Sequence, residues 1–271
     1  MNAQQKFDAA IKENNSLVCL GLDVQIDQLP QAIRSQRNPL FEFNKAIIDA
    51  THDVVATYKP NIAFYEAYGI EGLKQLKMTI DYLHKSYANT PIILDAKRAD
   101  IGNTSVMYAK AVYGYWEADA VTVYPHLGLD AVQPFFEYKH KLTILLLRTS
   151  NPDAAKLSDL KVNEKPFYLH LAAEVKSWNK ENAGIFVGAT YPTQLREIRE
   201  IFPENFFLSA GLGAQGGDAK EAVQAGMDKN HGGIVFNASR SIIYASAGAD
   251  FAEKAHEAAQ KLRDEINSYR I

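Results

Sequence analysis

Eight short apolar runs, separated by stretches of helical periodicity, constrain this chain more than any other feature. The runs cover residues 17–24, 54–64, 91–98, 120–125, 142–149, 183–188, 206–211 and 233–237 and are rich in β-branched or aromatic residues. Between them, segments such as 103–115, 166–179, 192–201 and 218–225 place apolar residues three and four apart, as helices with one buried face do. Strands alternating with helices point to a parallel sheet. Eight such units in 271 residues, close to the roughly 250 of a closed barrel, predict a single α/β domain over 1–271, a (β/α)₈ TIM barrel. An open doubly wound sheet is the structural alternative. The tail predicts a helix over 250–269, with Phe251, Ala255, Ala258, Leu262, Ile266 and Tyr269 on one face and Asp250 as its cap. The polar insertion 151–165 is long for a connection in such a fold and is expected to fold over a site as a binding loop.

Composition removes several classes of function. With 29 basic and 32 acidic residues the net charge is −3, so no bulk field favours nucleic acid or an anionic membrane. A single cysteine, Cys19, leaves no intrachain disulfide to form and reads as a small buried hydrophobe. The polar start of the chain lacks the apolar core of a signal peptide. No apolar stretch approaches the roughly 20 residues that span a bilayer. A cytoplasmic protein is the expectation.

In a barrel, chemistry gathers at the C-terminal ends of the strands. There the chain places Asp23, Lys59, the cluster Asp95, Lys97 and Asp100, then Thr149-Ser150-Asn151, the segment 188–190, the glycine-rich 211–217, and Asn237 to Arg240. Asp95 and Lys97, two apart on a strand, are expected to share a face. Asp100 falls in the turn beyond them. Desolvating such a cluster is costly, which favours chemistry over packing. The last two groups read as a phosphate site, with backbone N–H groups, Gln215 and the fixed fork of Arg240 as donors. Gly211, Gly213 and Gly216 also satisfy a dinucleotide fingerprint, but no acidic residue ends the next strand to hold a ribose. A metal site from Asp23, Asp95 and Asp100 is conceivable, yet Lys97 already supplies a neutralising charge. No histidine set has metal-ligand spacing; His126, near the rim, reads as peripheral.

GLDV, YKPN, DAKRADIGNT, RTSNP, VGAT, GLGAQGGD and NASRSI, in that order over residues 17–244, resemble orotidine 5′-phosphate decarboxylase, in its branch with DAKR-type and TSNP motifs. The resemblance implies a cofactor-free and metal-free homodimer of barrels that converts orotidine 5′-monophosphate to UMP and CO₂ in pyrimidine biosynthesis, with active sites shared across the interface. It implies that Asp95, Lys97 and Asp100 form the charged cluster, with Asp100, Ile101 and Thr104 entering the partner subunit's site. Asp23 and Lys59 would hold the ribose hydroxyls, Lys59 also extending the charge network. Ser150 would meet the pyrimidine edge, and Gln215 and Arg240 the phosphate. Three positions depart from the pattern: Ala99 for Gly, Tyr124 for Asn and Ala210 for Pro. Rival readings are a metal-dependent 3-keto-gulonate-6-phosphate decarboxylase with the same D-x-K-x-x-D core, a dinucleotide-dependent oxidoreductase, and a catalytically silent sensor of phosphate ligands.

Overall fold

A computed structural model describes residues 1–212 and 219–270. All eight expected runs contain a strand: β1 Val18–Gly21, β2 Thr57–Lys59, β3 Ile93–Arg98, β4 Ala120–Val123, β5 Leu142–Arg148, β6 Ala183–Gly188, β7 Phe207–Ala210 and β8 Ile234–Ala238. Each pairs in parallel with its neighbour in sequence, and β8 returns to β1. The β2–β3 seam closes through isolated bridges, Tyr58 to Ile92 and Asn61 to Asp95. The result is a (β/α)₈ TIM barrel.

Burial follows from that closure. β1, β2, β4 and β5 are buried at every residue, because helices cover the outside while side chains fill the inside. Cys19 is among these residues, fully buried as expected. The helix Ala3–Glu13 begins with a reciprocal cap between Asn2 and Gln5. It sets Phe7 against Phe206, ring centroids 4.4 Å apart, at the N-terminal mouth of the barrel. That end is closed by packing; the other is free for a site.

Several expectations need correction. The second run is a strand only over Thr57–Lys59; Pro60 ends it, lacking an N–H to donate, and Ala63–Glu66 is helical. The helix expected over 103–115 is α-helical over Gly102–Lys110 and becomes a π turn at Ala111–Tyr115. The C-terminal helix runs Phe251–Ser268, and Asp250 stands at its cap position without capping it. The Asp250 carboxylate accepts instead from Ser246 Oγ at 2.6 Å. The insertion after β5 folds as two short helical turns and a two-stranded ribbon, Lys161–Val162 with Lys165–Pro166. Asn163 and Glu164 take positive φ at the tip of that ribbon, as two-residue hairpin loops require.

One buried cation braces the barrel's N-terminal end. Arg199 donates to the carbonyls of Phe202, Asn205, Gly226 and Gly233 at 2.6–3.2 Å, and its guanidinium stacks 3.6 Å from the Phe207 ring. It thereby ties the ends of two helices to β7 and to the entry of β8. Burial lowers its pKa to about 10, so it remains charged at neutral pH. Arg199→Met keeps the volume but orphans these carbonyls; at about 1–3 kcal/mol per unsatisfied buried group, partly relieved by water, a loss of roughly 2–4 kcal/mol is expected. Urea unfolding measures it, and an unchanged midpoint would refute the bracing role.

Candidate active site

A hollow of about 230 Å³ opens at the C-terminal mouth of the barrel. Every strand, or the residues just past it, contributes: Asp23, Lys59, Asp95 and Lys97, Thr122, Leu146, Phe186, Leu208 and Asn237, for β1 to β8 in turn. A larger hollow, about 650 Å³, lies at the opposite end between Asp8, Lys12, Glu204 and Lys229. Chemistry decides between them, because only the first encloses a buried charge network.

Asp95 is the centre of that network. Its Oδ2 accepts from Lys59 Nζ at 2.9 Å. Its Oδ1 accepts from Lys97 Nζ at 2.6 Å and from Thr122 Oγ1 at 2.7 Å. Burial opposes charge on this carboxylate, but Lys59 and Lys97 outweigh it and hold Asp95 well below the usual carboxylate range. Lys59 mirrors it: burial opposes its charge, and Asp95 with Asp23 overrides burial and holds the ammonium above the usual lysine range. With side chains only 6% and 9% exposed, removing Asp95 would leave the Lys59 ammonium buried without its ion-pair partner, a cost of about 3–5 kcal/mol.

Asp95 and Lys97, both on β3, meet by an unexpected route. The β3–β4 register shifts between Leu94 and Arg98, and Lys97 has φ 48°, a region costly for a side-chain-bearing residue. Regular alternation is therefore broken at Lys97. Thr122 supports the irregularity, its Oγ1 accepting both the Ala96 and Lys97 N–H groups at 3.1 Å while donating to Asp95. Nothing marks Thr122 in the sequence, since a threonine in a strand is ordinary.

Of the expected site residues, Asp23, Lys59, Asp95, Lys97 and Ser150 line the hollow together. Asp23 Oδ1 is buried and has no partner, an acceptor available to a ligand. Asp100 does not join the cluster within the chain. Its Oδ1 accepts the Ile101 N–H at 2.7 Å, and among the described residues the ion-pair partner of Lys97 is Asp95. Ile101, 66% exposed, and Thr104 lie at the start of the helix Gly102–Lys110, away from the hollow's lining. Arg240 is exposed at the head of a short helix, Arg240–Ile243, just after β8. Gln215 lies outside the described residues. Gly211 takes φ 99°, which only glycine adopts without strain.

The departures at Ala99, Tyr124 and Ala210 leave this frame intact. Ala99 is not among the positive-φ residues, so its Cβ meets no backbone penalty. Tyr124 and Ala210 line the hollow. His126 is exposed, its ring edge-on to Tyr124 and tilted against Phe167. Past Asn151, the insertion contributes nothing to the hollow's lining, contrary to the expectation of a covering loop. Its Asp159 is tied to Arg148 at the barrel wall instead. Among the described residues, no three His, Cys, Asp or Glu side chains are grouped to share a metal ion. No helix among them is long and apolar enough to cross a membrane.

The comparisons agree with this geometry. A sequence profile of the orotidine 5′-phosphate decarboxylase / HUMPS family matches residues 16–256. The chain belongs to that family. An orotidine 5′-phosphate decarboxylase of Christiangramia forsetii is 48% identical over 97% of both chains. One of Cellvibrio japonicus is 45% identical over 98% of both. The structure of Leishmania donovani OMP decarboxylase superposes with a TM-score of 0.86 at 33% identity, covering 100% of this chain and 99% of its own. Such similarity over the whole length makes this family member an enzyme of the carboxy-lyase class.

The low pKa of Asp95 has a measurable consequence. A carboxylate depressed in the folded state contributes stability that is present above its unfolded pKa, near 3.9, and lost as pH falls through the folded value. The stability gap between the wild type and Asp95→Asn, read by urea unfolding, is expected to narrow steadily as pH drops below about 5. A gap independent of pH would contradict the ionised, doubly paired Asp95.

Proposed function

We propose that the chain decarboxylates orotidine 5′-monophosphate to UMP and CO₂, in pyrimidine biosynthesis, with Lys97 as the proton donor. The observation that carries this reading is the Lys97 ammonium held 2.6 Å from a buried carboxylate, in a hollow lined from all eight strand ends, in a member of this family.

The chemistry asks for that arrangement. When the bond from C6 to the carboxylate breaks, its electron pair stays on C6 with little resonance relief. A fixed ammonium beside C6 stabilises that charge as it develops. Lys97 then transfers a proton from Nζ to C6 and regains one from water. Asp95, beside the substrate carboxylate, disfavours the bound ground state. Asp23 Oδ1, buried without a partner, and Lys59 are assigned to the ribose hydroxyls. Ser150 is assigned to the pyrimidine edge. Arg240 and Gln215 are assigned to the phosphate, whose binding energy is used in the transition state.

Homodimerisation completes the reading. Asp100, Ile101 and Thr104 are assigned to the partner's site. Exposed Ile101, Val106 and Met107, at the head and along the helix Gly102–Lys110, support an apolar contact, since single exposed residues are ordinary but several on one segment are not. The metal-dependent rival with the same D-x-K-x-x-D core is separated by the same assay. Loss of orotidine 5′-monophosphate, followed by absorbance, is expected to proceed unchanged in EDTA and to fall at least about a thousandfold in Lys97→Ala with the fold intact. Substantial turnover by a folded Lys97→Ala, or dependence on Mg²⁺, would overturn the proposal.

A further inference from the structure

Arg148, the last residue of β5, is the largest fully buried side chain of the described residues. The β5–β6 register shifts between Leu146 and Arg148, and a bulge of this kind re-aims the side chain that follows. Leu146 lines the hollow, whereas Arg148 does not. Its guanidinium makes a two-point contact with Asp159, Nε to Oδ1 at 3.1 Å and Nη2 to Oδ2 at 3.2 Å. Nη1 donates to the Thr149 carbonyl at 2.7 Å. One face lies 3.9 Å from the centroid of the Tyr191 ring.

Ser150 follows Thr149 in the chain. Its backbone rests on Gly188, where an added Cβ would come within 3.0 Å of Ser150 N and Cα. Ser150 is thus held from two sides. Gly188 sets its depth, and Arg148 holds the preceding carbonyl while anchoring the insertion through Asp159. Gly188 and Tyr191 are themselves joined, the Tyr191 N–H donating to the Gly188 carbonyl at 3.2 Å.

We propose that Arg148 is a positioning residue, which fixes Thr149 and Ser150 so that the Ser150 side chain meets the edge of the substrate's base. The inference rests on the decarboxylase reading and deepens it. Asp159, 39% exposed, supplies the charge that keeps the buried guanidinium in place, and it lies outside the hollow's lining. Its replacement tests the clamp without touching the hollow.

The test compares two ligands on folded protein: UMP, which presents a base, and ribose 5-phosphate, which does not. Asp159→Asn is expected to weaken UMP binding about tenfold, leave ribose 5-phosphate binding unchanged, and lower kcat/KM for orotidine 5′-monophosphate. Asp159→Glu, which retains the charge, is expected to recover most of the UMP affinity. Equal losses for both ligands, or no loss for either, would overturn the positioning role. A wild type that neither turns over the substrate nor binds UMP more tightly than ribose 5-phosphate would overturn the decarboxylase reading itself.

Discussion

The carboxylate of Asp95 is the interaction on which the rest of the site depends. One buried anion accepts from two ammonium groups and a hydroxyl. Two cations of like sign are thereby brought onto one carboxylate, an arrangement water would not hold. The barrel supplies what water cannot: a rigid wall in which β2 delivers Lys59, β3 both Asp95 and Lys97, and β4 Thr122 at fixed spacing. The coupling is mutual, since Asp95 overrides the burial penalty of Lys59 as Lys59 and Lys97 override that of Asp95.

The barrel's departures from regularity lie where that network needs them. β4 and β5 pair in uninterrupted register. The two register shifts fall at the C-terminal ends of β3 and β5. One frees Lys97 from strict alternation, at the cost of a positive φ; the other turns Arg148 into the wall. Bulges beside active sites commonly re-aim side chains, and strain persists where the surroundings over-determine it. Thr122 provides that surrounding for Lys97, with three hydrogen bonds at one hydroxyl.

The strands were legible because each is a short, almost wholly apolar run bounded by turn residues, as in a sheet buried on both faces. The charged ends of β2 and β3 were legible because Lys59, Asp95 and Lys97 interrupt such runs. What remained hidden has a common cause: it depends on which residue a side chain meets rather than on type or period. Thr122 looks like any strand threonine. Arg148 ends its run as Lys59 does, yet turns into the wall and not toward the hollow. Asp250 occupies a cap position but pairs with Ser246.

The central claim is that an ionised Asp95 both steadies the Lys97 ammonium and opposes a substrate carboxylate placed beside it. Single-turnover decarboxylation of orotidine 5′-monophosphate by folded Asp95→Asn, measured together with the substrate's dissociation constant, separates those effects from simple loss of binding. The chemical step is expected to slow by at least about a hundredfold, while the substrate binds no more weakly than to the wild type. A chemical step within a few-fold of wild type would contradict the account.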